Sequence, residues 1–217
     1  MRIAILLYDH MTALDAVGPY EVFSRLPGAE TIFVAERTGP VRCDTRQLAL
    51  VADATITEVP DPDIVFVPGW SGAPQTDLVN PGPVHDWLTS ADRSTTWTAS
   101  ACTGSVILAA AGLLHGRRAT THWLATDELA RYGAIPTSER VVFDGKYVTA
   151  AGVSAGIDMA LTLVAELSDD ATAQAIQLGI EYDPQPPFRA GSPGTAPHEI
   201  VAAMAAVRDF IIFGERR

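Results

Sequence analysis

Residues 95–112, TTWTASACTGSVILAAAG, decide how the rest of the chain is arranged. Residues 95–100 are rich in β-branched and aromatic side chains, as a buried strand is, while Val106, Ile107, Leu108 and the alanines after them suit a helix packed on a sheet. Between the two elements lies one cysteine, Cys102, with the small residues Ala101, Gly104 and Ser105 around it. A sulfur at the first turn of a helix faces unpaired N–H groups and the positive end of the helix dipole, which stabilise a thiolate. The stretch therefore reads as a nucleophile elbow, with cysteine where G-x-S-x-G hydrolases carry serine. The alternative is an inert Cys102, because free cysteine is a common interior residue.

Outward from the elbow, the pattern is that of an α/β protein. Residues 2–8, RIAILLY, form a near-continuous apolar run, the mark of a strand buried on both faces of a parallel sheet. LDAVGPYEVFSRL follows, with a helix expected to start near Pro19 and Asp15 just ahead of it. Asp15 thus falls at the carboxyl end of the first strand, the rim where open α/β sheets gather ligands and where Cys102 also belongs. Flanked by Leu14 and Ala16, it is suited to general acid and base work; the alternative is a plain helix cap. Residues 30–36 alternate as a second strand, residues 41–59 hold a short two-stranded excursion containing Cys43, and residues 63–67 form a buried strand ending in PGWSG. Backbone N–H groups at Gly69, Trp70 and Gly72 are candidates for an oxyanion pocket, with an ordinary turn as the alternative.

A helix over residues 81–91, capped by Asn80, precedes the elbow. Beyond it, RRATTHW brings His122 within 20 residues of Cys102, either to activate the thiol or to be satisfied by a backbone carbonyl. Residues 140–150 read as a hairpin turning at Asp144-Gly145, and Gly152 opens a helix that runs to Leu167. A second helix spans residues 169–182. The segment 184–197, PQPPFRAGSPGTAP, is too rich in proline and glycine to be regular, and a last helix covers residues 198–213. Residues 1–217 are expected to form a single domain.

The formal net charge of −11 argues against a nucleic-acid surface, since Arg117-Arg118 and Arg216-Arg217 are the only dense basic spots. No metal is expected, because the two cysteines and five histidines show no ligand spacing. No run approaches the length of a membrane span, and the N-terminus enters a strand directly, so a cytoplasmic protein is expected.

The pieces LLYDHMTALDAVGPYEVF, SACTGSVILAAAGLLHGRRATTHW, GAIPTSERVVFDGKYVTAAGVSAGID and QLGIEYDPQPPFRAGSP together resemble the DJ-1/PfpI superfamily. Within it the chain is most similar to the isocyanide hydratases, which carry an aspartate matched here by Asp15, where many relatives carry glutamate, and a threonine matched by Thr103. One departure is PGWSG, in which Trp70 stands where the family has glycine and is expected to narrow the pocket. The resemblance implies a flavodoxin-like sandwich with a mostly parallel sheet, a homodimer, no cofactor, and hydration of an isocyanide to an N-substituted formamide by Cys102, Asp15 and Thr103. It assigns His122 no step. Other activities compatible with the same thiolate are glyoxalase or deglycase chemistry on 2-oxoaldehydes and, without catalysis, a cysteine redox or ligand sensor related to AraC-type regulators.

Overall fold

The computed structural model describes residues 1–72 and 76–214, so Arg216 and Arg217 lie outside the described residues. The chain runs β1 (Arg2–Leu6), α1 (Ala13–Phe23), β2 (Glu30–Ala35), the hairpin β3 (Gly39–Arg42) and β4 (Ala49–Ala52), β5 (Ala54–Thr55) and β6 (Ile64–Val67). After α2 (Thr76–Val79), α3 (Pro83–Ala91) leads into β7 (Trp97–Ala101) and α4 (Gly104–Ala110). Then come β8 (Arg118–Ala119), a 3₁₀ turn (Trp123–Ala125), α5 (Thr126–Arg131), β9 (Ile135–Pro136) and the hairpin β10 (Val141–Asp144) and β11 (Tyr147–Ala150). Four helices finish the described chain: α6 (Ala155–Leu167), α7 (Asp170–Gly179), α8 (His198–Ala206) and α9 (Arg208–Phe213).

The main sheet has the order β10-β11-β7-β6-β1-β2-β5. Every neighbouring pair is parallel except β10 with β11. The central strands β2-β1-β6-β7-β11 follow the doubly wound, flavodoxin-like order, with the topological switch between β1 and β6. Continuous apolar runs behave as expected: β6 is buried at all four positions and β1 at all but Arg2. Ile3, Ile5, Phe66 and Ile64 from these strands pack with Phe23 of α1 and Ile107 and Leu108 of α4. Burying each such side chain contributes about 1.5–3 kcal/mol.

Besides α6, which opens at Ala155 and not at Gly152, and α7, which ends at Gly179 and not at Tyr182, three boundaries differ from the sequence pattern. First, α1 begins at Ala13, and Pro19 lies inside it. Thr12 donates its N–H to Gly69 O at 2.8 Å, and Asp15 N–H closes the first turn onto Thr12 O at 3.1 Å, so tertiary bonding sets the start that the proline was expected to mark. Second, α3 starts at Pro83 with Gly82 as its cap, so Asn80 does not cap it. Third, the last helix is two helices, broken at Val207. Arg208 opens the second of them, donating to Leu124 O at 2.7 Å and pairing with Glu128 at 3.3 Å. Residues 184–197 are irregular, as their composition requires. Among the described residues no helix is long and apolar enough to cross a membrane.

Candidate active site

Three strand ends converge at the switch point. Each contributes one chemical group: α1 after β1 brings Asp15, the loop after β6 brings Gly69 and Trp70, and the turn after β7 brings Cys102 and Thr103.

Cys102 has φ of 55°, a left-handed conformation that costs a non-glycine residue about 1–3 kcal/mol. The strain is held by its own N–H, shared between Ala150 O and Ala151 O at 3.1 Å each, and by its carbonyl, which accepts from Thr121 Oγ1 at 3.0 Å and Ser105 Oγ at 3.2 Å. This geometry is the elbow expected from the sequence. The side chain is 3% exposed. The backbone N–H groups of Val153 and Thr103 both reach the sulfur and favour the thiolate. Burial outweighs them, and with repulsion from an ionised Asp15 it pushes the thiol pKa up. Burial is the largest of these influences, so the stabilised resting thiolate expected from the helix end does not follow from the amides, and the Asp15 charge disfavours it further. Once Asp15 is neutral its repulsion is gone and the two amides remain.

Asp15 is fully buried in the first turn of α1. Its carboxylate does not cap its own helix: Oδ2 accepts from Gly69 N–H at 3.1 Å. Oδ1 is buried with no hydrogen-bond partner in the protein. Burial is the largest influence and, against the Gly69 amide and the Cys102 side chain and with a contribution from the Asp44 charge, pushes the carboxyl pKa up to about 8. A carboxylic acid that holds its proton at neutral pH beside a strained cysteine has the makings of an acid-base and nucleophile pair.

The PGWSG loop works differently from the expectation. Gly69 N–H goes to Asp15, Trp70 N–H to Thr103 Oγ1 at 2.7 Å, and Gly72 N–H to Ile211 O at 2.7 Å. These amides are committed within the protein, so they do not form an open oxyanion pocket. Gly69 is required for another reason: a Cβ there would lie 2.6 Å from Thr103 N and 2.7 Å from Cys102 Cβ. Thr103 returns its hydroxyl proton to Trp70 O at 3.1 Å, so it clamps this loop and makes no bond to Asp15. The Trp70 indole is 3% exposed and donates from Nε1 to Ile212 O at 2.9 Å. Its bulk anchors α9 against the loop.

His122 caps the 3₁₀ turn, its Nδ1 accepting from Leu124 N–H at 3.3 Å, and burial lowers its pKa. It stands against Gly152, where a Cβ would come within 2.6 Å of the ring. The pair supports the wall behind the elbow, and the ring's backbone partner is the Leu124 N–H, not the carbonyl of the sequence reading. Two neighbours escaped the sequence. Tyr8 donates to Pro68 O at 2.6 Å, and its own pKa is raised by burial and by Asp15 and Cys102. Val153 supplies an amide to the sulfur from a turn with φ of 33°. A tyrosine ending an apolar strand and a valine in a turn carry no distinguishing sequence signal. Among the described residues no group of three or more His, Cys, Asp or Glu could hold a metal ion.

Comparison with known proteins places this geometry. Over 201 residues the chain is 43% identical to an isonitrile hydratase of Pseudomonas putida, covering 93% of this chain and 87% of that one. It superimposes with a TM-score of 0.91 on a ThiJ/PfpI family protein from Pseudomonas syringae, at 42% identity over 96% of this chain and 86% of the other. An HTH-type transcriptional regulator, CdhR, of Pseudomonas aeruginosa is 35% identical over 149 residues, which is 68% of this chain and 41% of the regulator. The DJ-1/PfpI family model matches residues 1–166, from the first strand through the elbow to the end of the helix that follows Val153. With the elbow cysteine and its buried carboxyl partner both inside that span, the chain belongs to the DJ-1/PfpI family.

Proposed function

We propose that this protein is an isocyanide hydratase, a hydro-lyase that converts R–N≡C and water to R–NH–CHO. The observation that carries the mechanism is the buried Asp15 carboxyl, pushed up to about 8 and holding one unpartnered oxygen beside Cys102. Similarity to the Pseudomonas putida isonitrile hydratase supplies the substrate class.

The pair works with one proton between them: it passes from the Cys102 thiol to the Asp15 carboxylate, and the thiolate attacks the terminal isocyanide carbon. The carboxyl proton passes to that carbon, leaving the thioimidate Cys–S–CH=N–R and an Asp15 carboxylate. The carboxylate then takes a proton from water as the oxygen adds to the same carbon, and hands it to nitrogen, giving Cys–S–CH(OH)–NH–R. When the C–S bond breaks, the hydroxyl proton returns to Asp15, sulfur leaves as thiolate on the Val153 and Thr103 amides, and the formamide departs. The pair ends with the one proton it began with. Thr103 acts through the loop it clamps, and Gly69 by orienting the carboxyl.

We read residues 1–217 as one domain, working as a homodimer. In support, α8 has no buried residue, and Phe188 on the arm is 77% exposed. Both cysteines are free, in keeping with a reducing cytoplasm.

The test is turnover of a small aryl isocyanide by the purified protein, followed as formamide by absorbance and mass. Wild type should form formamide, and Cys102→Ala should form none while melting at a similar temperature. Retained turnover in Cys102→Ala would remove the cysteine as nucleophile, and no turnover by wild type across small and large isocyanides would remove hydration.

A further inference from the structure

The hairpin β3–β4 lies outside the catalytic machinery described above, yet its turn grips the start of α1. Thr12 donates its hydroxyl to Asp44 Oδ2 at 2.9 Å, Asp44 N–H donates to Met11 O at 2.9 Å, and Thr45 N–H holds Asp44 Oδ1 at 2.7 Å. Thr12 occupies the cap position of α1 but makes no side-chain bond to the helix, because its hydroxyl is spent on Asp44. From Thr12 the bonds continue into the site. Its N–H goes to Gly69 O, its carbonyl receives Asp15 N–H, and Gly69 N–H returns to Asp15 Oδ2. A half-buried carboxylate on a distant hairpin is thus one hydrogen bond from the turn that carries the proposed acid.

We propose that Asp44 is a positioning residue for Asp15: through Thr12 it fixes the first turn of α1, and its negative charge adds to burial in favouring the neutral carboxyl. The proposal rests on the hydratase reading, in which the carboxyl proton is delivered to substrate. Both bonds to the Asp44 carboxylate come from neutral donors, while Arg46 on the same turn pairs with Asp9 at 3.7 Å and lies 3.4 Å from His10. Its charge is therefore left to act on its surroundings. Tyr8, just past β1, and Cys102 from the elbow are the other titratable groups that meet Asp15; burial pushes the Tyr8 pKa up, and the Cys102 side chain lowers that of Asp15. Across α1, helix α6 packs at Gly18 through Ile157, and its nearest charge, Asp158, is taken by Arg140 and by Tyr182. On α1 itself Glu21 pairs with Arg25. Asp44 is left as the charge that raises Asp15 beyond the effect of burial.

Asp44→Asn separates charge from position, since the amide keeps an acceptor for Thr45 N–H and offers its NH₂ to the Thr12 hydroxyl. Thr12→Val does the reverse. Two readouts are taken across pH: kcat/KM with an aryl isocyanide, and the infrared band of the protonated Asp15 carboxyl, assigned by its absence in Asp15→Asn. In Asp44→Asn the alkaline fall of kcat/KM, centred near pH 8 in wild type, and the loss of the band should both move to lower pH. At pH 8 the rate relative to the variant's own plateau should drop about two- to threefold below wild type. Thr12→Val should lower kcat at every pH and leave the midpoint in place. An Asp44→Asn band that titrates where wild type does overturns the proposal, whatever the rates. Absence of formamide from wild type defeats the hydratase reading instead, and the band still decides the role of Asp44.

Discussion

Asp15 opposes the stability of the fold it serves. Its carboxyl titrates near 3.8 when unfolded and at about 8 when folded, so between those values the folded protein binds more protons than the unfolded chain. The stability associated with the protonated acid is therefore complete below about pH 4 and lost as pH rises to about 8. Asp15→Asn, which removes the ionisation, should flatten the pH dependence of the melting temperature and stabilise the protein at pH 8 by about a few kcal/mol, while abolishing turnover. A wild-type melting profile parallel to that of the variant across this range would contradict the raised pKa. Asp15 was legible as a candidate because apolar neighbours follow strand β1, and Cys102 because small residues separate a strand pattern from a helix pattern. Asp44, Tyr8 and Val153 were not, since their bonds to Thr12, Pro68 and Cys102 join residues far apart in the chain.

At the scale of elements, the strands were readable because burial on both faces of a parallel sheet demands continuous apolar runs. Helix starts were less so. Proline at a first turn is a local preference, and the Thr12 to Gly69 bond overrides it by starting α1 at Ala13. The loop 68–72 shows the same limit: its glycines looked like free donors, but Asp15, Thr103 and Ile211 take the N–H groups of Gly69, Trp70 and Gly72. Gly69→Ala should consequently destabilise the protein by about 1–3 kcal/mol and lower kcat at least tenfold, because the added methyl meets backbone and Cys102 Cβ where nothing can yield. Normal kinetics in that variant would contradict the close approach. Trp70→Phe leaves Ile212 O without its indole donor and should cost about 1 kcal/mol by denaturant unfolding. An unchanged midpoint would show that the indole bond does not secure α9.

At the scale of the whole molecule, a doubly wound sheet gathers three strand ends on one rim, and the reaction proposed here needs one group from each. Leu178 of α7, Phe188 of the arm, and Ile200, Val207 and Phe210 of the C-terminal segment are exposed apolar residues. Sedimentation should give twice the mass of one chain, and replacing Phe188 and Ile200 by serine should shift the protein towards monomer; a monomeric wild type would contradict the dimer. The most direct test of the chemistry is to mix wild type with a small aryl isocyanide, quench within a turnover, and weigh the peptide containing Cys102. That peptide should gain the mass of one whole isocyanide, the thioimidate, and lose it as formamide appears. Formamide that accumulates while the peptide never gains that mass would contradict covalent hydration at Cys102.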